Sequence, residues 1–320
     1  MIPNDLNLNK ISKIHKLLSP YVVETPLIEG STLVNDILKT NIIFKLEFLQ
    51  NAGTFKARGA TYNVLQLNEL QKTKGVTAVS AGNHAIAVSY VANKFNLKNK
   101  IFIYNSANAF RINKCKELKA NINFADPQNA FNQVELASKN EGYYFIHPFD
   151  GVPTLQGTAS LGYEISTQIK DFDNIIVSVG GGGLISGIAS AIKQFNSNCK
   201  IIGVEPEGAQ GMSQSLKENM PLKKVSINTI ADSLAAPLHM PYSFSICQQT
   251  VDQMIQVSDR ELVNAMKFMF ENCKMILEPA CVAGIAALMG PLKNKFINQK
   301  TLVLLCGSNI DSDSWSKLVL

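Results

Sequence analysis

Short runs of aliphatic and β-branched residues recur along the chain, each followed by a longer stretch whose apolar positions return at helical spacing. The runs are 42–49 (IIFKLEFL), 76–80 (VTAVS), 100–104 (KIFIY), 174–179 (NIIVSV), 200–204 (KIIGV) and 301–306 (TLVLLC). Helix-like stretches lie near 56–70, 83–97, 108–120, 128–140, 155–170, 184–195, 259–272 and 279–290. Strand-like runs alternating with amphipathic or Ala-rich segments predict an α/β fold, with parallel sheets covered by helices on both faces. No internal repeat or low-complexity linker interrupts the pattern. The turn-rich segment from His147 to Pro153 is the best candidate crossover between two lobes.

Composition narrows the class. A chain of 320 residues, 46% hydrophobic and 17% charged, is globular and long for one core, so two domains or one large α/β domain are expected. The formal charge of +5 is dispersed rather than clustered, which argues against a nucleic-acid partner. Six cysteines show no C-x-x-C pair and no metal-ligand spacing, so they read as reduced thiols and no zinc site is expected. The N-terminal segment lacks the apolar run of a signal peptide, and no stretch approaches about 18 apolar residues. A cytoplasmic protein without membrane partners is therefore expected.

Candidate chemistry begins with Gly180, Gly181, Gly182 and Gly183, which follow a strand-like run and precede a helix start. With 20 glycines in 320 residues, four in a row arise by chance in roughly one such chain in 200. Glycines let backbone N–H groups close on a ligand, and a following helix N-terminus favours an anion, so a phosphate suits the position. A tight turn would need only one or two glycines. A dinucleotide fingerprint would need Gly at 186, where the chain has Ser186, although Glu205 ends the next strand about where a ribose-binding acid would sit.

A second segment, Gln50 to Ala60, leaves a strand through a Gly-Thr turn and enters a helix with Thr54 as N-cap. Lys56 then falls in the first turn, where the helix dipole disfavours an ammonium and lowers its pKa, as an imine-forming amine requires. A third, Ser80-Ala81-Gly82-Asn83-His84, offers N–H groups, a hydroxyl and an amide that suit a carboxylate. Cys306-Gly307-Ser308-Asn309 closes the last strand. The other histidines, His15, His147 and His239, read as surface or crossover residues, and the Met and Phe cluster at 266–270 reads as helix core.

Taken in order, these segments resemble the β family (fold type II) of pyridoxal-phosphate enzymes, in its serine/threonine dehydratase and serine racemase branch. Thr25-Pro26-Leu27, Gln156-Gly157-Thr158, Gly203 to Ala209, Ala231-Asp232-Ser233 and Glu278-Pro279-Ala280 extend the likeness over almost the whole chain. The resemblance implies a two-domain α/β fold, with a small domain at 71–150 inserted between the parts 1–70 and 151–320 of a larger one. It implies that Lys56 carries pyridoxal 5'-phosphate as an imine and acts as the base at Cα. Phe55 would pack beside the cofactor, Asn83 would bond its ring hydroxyl, and Gly180 to Gly183 with Leu184 would bind its phosphate. Ser80, Ala81, Gly82, Asn83 and His84 would surround the substrate carboxylate, and Cys306 would face the pyridine nitrogen. A thiol cannot hold that nitrogen protonated, so elimination of a β-hydroxyl from L-threonine, L-serine or a related amino acid is the expected reaction, giving a 2-oxo acid and ammonia. A homodimer is implied by the resemblance alone.

Departures from the family pattern separate the alternatives. Racemases of the branch carry a second Ser where this chain has Ala81, so this chain lacks the opposite-face acid that racemisation needs, and dehydration is favoured over racemisation. Their divalent-cation site is incomplete too. Glu205 and the Ala209 carbonyl match, but Gly211 stands where a carboxylate is expected, and no strong metal site follows. Gln-Asn-Ala-Gly-Thr-Phe-Lys replaces the commoner Pro-x-Gly-Ser-Phe-Lys, and Ile86 replaces a frequent Gln, which points to a variant substrate. With Leu320 as the last residue, feedback control by isoleucine is not expected. A cysteine synthase, a non-enzymatic cofactor-binding protein and a nicotinamide-dependent oxidoreductase are the more distant alternatives.

Overall fold

The computed structural model describes residues 2–127 and 129–320. The apolar runs form ten strands among the described residues, β1 (Leu27–Glu29), β2 (Asn41–Lys45), β3 (Val76–Ser80), β4 (Asn99–Tyr104), β5 (Ile122–Ala125), β6 (Tyr144–Phe145), β7 (Asn174–Ser178), β8 (Lys200–Pro206), β9 (Gln253–Val257) and β10 (Lys300–Leu304). They build two sheets. One has six strands in the order β1-β2-β10-β7-β8-β9, the other four in the order β5-β4-β3-β6. Every pairing is parallel except β1 with β2.

Strands buried on both faces explain the unbroken apolar runs. β7 is buried at all five positions, and its Ile175, Ile176 and Val177 join Leu302, Val303 and Ile202 in the main core. The four-stranded sheet has apolar clusters on two sides, one with Val76, Ala78, Ile101 and Ile103 and one with Val79, Phe102 and Val134. Among the described residues no helix is long and apolar enough to cross a membrane.

Several boundaries differ from the pattern. The run 42–49 leaves the sheet after Lys45 and turns through a short helix Glu47–Leu49, because Glu47 is buried against the Arg58 guanidinium at 2.9 Å. The stretch 56–70 is two helices, Lys56–Leu65 and Glu69–Lys74, the second begun by a capping box between Asn68 and Gln71. The stretch 128–140 starts on Gln128, outside the described residues; beyond it lie the helix Ala130–Leu136 and a wider turn, Ala137–Glu141. The segment 279–290 opens as a 3-10 turn, Pro279–Val282, before the helix Ala283–Met289. The short or half-exposed strands β1, β5, β6 and β9 escaped the pattern, as did the helices Leu8–Leu18, Thr32–Leu38, Gly211–Glu218, Pro241–Thr250 and Ser312–Val319. The helix Asp259–Cys273 buries Met266, Phe268 and Met269 as expected, while its Phe270 is exposed.

The helix that begins at Lys56 is anchored by buried charge. Lys45 donates to Glu164 at 2.6 Å and to the Thr25 carbonyl at 2.6 Å, and Arg58 pairs with both Glu47 and Glu164. Two cations on two carboxylates, with hydrogen bonds to the remaining lone pairs, is the arrangement that makes buried charge tolerable.

Candidate active site

A cleft with about 930 Å³ of empty space, part of it open to solvent, is lined by Lys56, the 80–84 loop, Gly180 to Gly183, Leu184, Glu278 and Cys306. The expected site residues are thus brought to one place from four separate stretches of chain, and Glu278 joins them from a fifth.

Lys56 reaches the cleft from a turn stitched to the end of the chain. Phe55 N donates to the Cys306 carbonyl at 3.0 Å and Ser308 N to the Gly53 carbonyl at 3.1 Å, while Asn309 Nδ2 donates to the Ala52 carbonyl at 2.9 Å. Lys56 N donates to Thr54 Oγ1 at 3.4 Å, so Thr54 does cap the helix start. The Lys56 amine donates to the Pro148 carbonyl and lies 5.0 Å from the centre of the Phe55 ring. Desolvation lowers its pKa to about 8, against a smaller opposing effect of Cys306.

The glycine run follows β7. Ser186 N is the donor to the Gly182 carbonyl, at 3.0 Å, which leaves the N–H groups of Gly183, Leu184 and Ile185 at a helix start without intrahelical acceptors. Gly182 has φ of +91°, and a Cβ on Gly181 would lie 2.2 Å from Cγ of Phe149. Only glycine meets both demands. Ser186, where a dinucleotide fingerprint needs a third glycine, is fully buried and donates to the Ser243 carbonyl at 2.9 Å.

In the 80–84 loop, Gly82 N donates to Ser80 Oγ at 3.0 Å. His84 is buried with Nε2 at 2.8 Å from the Ile146 carbonyl, so Nε2 carries the proton. Desolvation first and Lys56 second lower the His84 pKa to about 3, which keeps the ring neutral. His147 Nδ1 accepts from Asp150 N at 3.0 Å, and burial lowers its pKa to about 3 as well. Cys306 is buried beside Cys281, whose thiol burial and Cys306 push well up.

Several residues in the cleft had no role in the sequence reading. Arg111 lies under the loop and pairs with Asp232 and, at 3.3 Å, with Glu278. Asn83 Nδ2 donates to Glu278 Oε1 at 2.6 Å, and Asn309 Nδ2 to Asn83 Oδ1 at 2.7 Å. Tyr104, Phe131 and Phe149 add aromatic wall. A signal for Arg111 was present, since only three of the 30 basic residues are Arg, and Arg is the residue suited to several fixed donors at once.

The candidate cation position is satisfied from within. Glu205 is fully buried and accepts from Met212 N at 2.6 Å, Ser213 N at 3.0 Å and Ser213 Oγ at 2.6 Å, so it caps the helix Gly211–Glu218. Burial pushes its pKa up to about 7 despite those donors. Among the described residues no group of three potential metal-ligating side chains is found. His239, expected at the surface, is buried at 4% exposure because its ring packs against Gly211, and desolvation lowers its pKa to about 4.

A profile of the family described as "Pyridoxal-phosphate dependent enzyme" matches residues 18–307. The chain belongs to this family. Among relatives in the pyridoxal-phosphate dependent family, the phenylserine dehydratase of Ralstonia pickettii is 41% identical over 312 residues, 97% of this chain and 95% of that protein. The catabolic L-threonine dehydratase of Staphylococcus aureus is 34% identical, over 96% of this chain and 90% of that one. Maize serine racemase superposes with a TM-score of 0.91 at 30% identity, covering 97% and 96% of the two chains. Tomato threonine deaminase isoform 2 gives 0.90 at 31%, covering 97% and 92%. The chain is therefore an enzyme of the two-domain, fold type II architecture, and nothing in these likenesses supports the nicotinamide-dependent alternative.

Proposed function

We propose that this enzyme eliminates the β-hydroxyl of a β-hydroxy amino acid, releasing a 2-oxo acid and ammonia, and that the group on Cβ is aromatic. The observation that carries the reading is a half-buried lysine whose amine has a pKa lowered by desolvation, Lys56, sharing one cleft with the N-terminal end of the helix Gly183–Phe195 and with the 80–84 loop. Bound pyridoxal phosphate supplies the electron sink that acidifies the substrate Cα proton. Lys56 holds the cofactor through its amine and, once released, takes that proton. Gly180 to Gly183 and Leu184 hold the phosphate through N–H groups, Phe55 packs on one side, and Asn83 meets the ring hydroxyl. The N–H groups of Ser80 to His84 hold the substrate carboxylate, with neutral His84 locking the loop to Ile146. Cys306 presents its side chain to the ring nitrogen.

Ala81 brings only a methyl group to the cleft, so no acid from that residue returns a proton to the opposite face, and elimination is favoured over racemisation by the absence of a group worth about 100-fold. The aromatic preference is supported by Tyr104, Phe131 and Phe149 in the wall and by the name of the Ralstonia relative. A small domain near 71–150, a homodimer and a cytoplasmic location complete the proposal.

The test is 2-oxo acid release from threo-phenylserine, threonine and serine, with borohydride reduction and peptide mapping of the holoenzyme. Phenylserine should lead in kcat/KM by about tenfold or more, the scale of a filled apolar pocket. Label on a lysine other than Lys56 refutes the site, and a lead for serine refutes the aromatic substrate.

A further inference from the structure

We propose that Arg111 is a positioning residue that acts through Glu278 to fix the side-chain amide of Asn83, NH₂ edge toward the cleft, so that the cofactor ring oxygen meets a donor. The inference rests on the cofactor assignment above and adds a residue that the assignment does not use.

An amide side chain can present either edge, and its partners decide which. Asn83 has one partner that only accepts and one that only donates. Glu278, when ionised, accepts from Nδ2 at 2.6 Å. Asn309 Nδ2 donates to Oδ1 at 2.7 Å and is itself held by the Ala52 carbonyl at 2.9 Å. The second Asn83 N–H now rests on Ser233 Oγ at 3.2 Å, a hydroxyl in the cleft wall whose place a ligand oxygen can take.

The share of Glu278 in this orientation lasts only while the carboxylate stays ionised. Burial pushes that carboxyl up, and Arg111 is the first influence opposing the push. A protonated Glu278 would become a donor able to satisfy the carbonyl edge of Asn83, and the amide would keep only the part of its preference that Asn309 sets. Arg111 cannot play the acceptor and is rigidly placed. Its Nε donates to the Asn309 carbonyl at 2.9 Å and its NH2 to Glu278 Oε2 at 3.3 Å, with NH1 on Asp232. Asn309 N adds a donor to Glu278 Oε2 at 3.2 Å, closing a ring Arg111–Glu278–Asn83–Asn309. Arg111 sits on the helix Ala109–Glu117, which follows β4 of the four-stranded sheet, whereas Asn309 follows β10 of the six-stranded one. The orientation is thus set only when the two sides of the cleft meet.

The test uses the holoenzymes of Arg111→Met and Arg111→Lys. The readouts are the two absorption bands of the bound cofactor, which report whether its ring oxygen carries a proton, together with kcat, KM and borohydride labelling of Lys56. Arg111→Met should move the band ratio at least threefold toward the protonated oxygen and lower kcat by about tenfold, the scale of one oriented hydrogen bond. Arg111→Lys, which keeps charge without the planar fork, should move both in the same direction and less. A band ratio equal to wild type in both variants overturns the proposal, even if activity falls, because a purely structural loss would leave the bands in place. If Arg111→Met does not fold, Arg111→Lys carries the same readout. An unlabelled Lys56 in the wild type would instead refute the cofactor site and is distinguishable from either result.

Discussion

Replacing Gly181 by Ala tests whether the glycine run is shaped by its packing as well as by its ligand. A Cβ there would lie 2.2 Å from Cγ and 2.3 and 2.6 Å from the Cδ atoms of Phe149. The ring has little room to retreat, since it is 7% exposed and stands edge-on to His147 at 4.7 Å between centroids. An overpacked contact of this kind costs about 1–3 kcal/mol. Phe149→Ala alone leaves a void worth about 3 kcal/mol. In the double variant the clash is gone, so its destabilisation should fall short of the sum by about 1–3 kcal/mol, the range for residues in contact. Gly183 is the control. Its Cβ would meet the carbonyl oxygen of Phe149 at 2.4 Å and the carbonyl carbon at 2.8 Å, backbone that Phe149→Ala leaves in place. Gly183→Ala with Phe149→Ala should therefore be additive within about 0.5 kcal/mol. Denaturant unfolding of the three single and two double variants measures both couplings. Additivity at Gly181, or equal coupling at both glycines, would refute the reasoning.

Three further outcomes follow from the buried charges. Because Lys56 titrates near 8 in the cofactor-free chain, the rate of reconstitution with pyridoxal phosphate should rise about tenfold per pH unit below that value and flatten above it; a rate still climbing at pH 10 would mean an ordinary lysine. Glu164→Gln leaves Lys45 and Arg58 with too little negative charge and should cost about 3–5 kcal/mol in urea unfolding. In the wild type, burial opposes ionisation of Glu164 but Arg58 and Lys45 hold its pKa low, so its stabilising effect is present above about 4.5 and fades as pH falls through the folded value. Glu205 behaves oppositely. Its folded pKa is raised to about 7 from 4.5, so the folded state holds the extra proton and stability declines as pH rises between those values. That decline, about 1.4 kcal/mol per pH unit at most, should be absent in Glu205→Gln, and an unchanged slope in unfolding free energy against pH would count against the assignment.

The sheet strands were legible where burial on both faces makes a run continuously apolar, as in β3 and β7. β6 is two residues long, and β9 alternates exposed and buried positions, so neither carried enough signal. Helix limits failed where a side chain has a distant partner. Nothing local says that Glu47 will turn out of the sheet to meet Arg58, or that Glu205 will cap a helix begun six residues later. The lysine, glycine and asparagine segments were visible because each needs unusual residues in a row. Asp232, Glu278 and Asn309 fell in segments that carried the resemblance but received no role there, and Arg111 received none either, because their common purpose appears only when segments far apart in sequence are superimposed in space.

The stitching of the Lys56 turn to residues 306–309 has a consequence for biosynthesis. Ala52 and Asn309, joined by one hydrogen bond, are 257 positions apart, and β2 lacks its neighbour β10 until residues 300–304 exist. A nascent chain emerging from the ribosome can frame neither the lysine turn nor the glycine run before then, since β7, which leads into the glycines, is also paired with β10. Grip on the cofactor is thereby deferred to the final stage of translation, and truncated products that stop before residue 306 should pass through the cell without drawing on its pyridoxal phosphate.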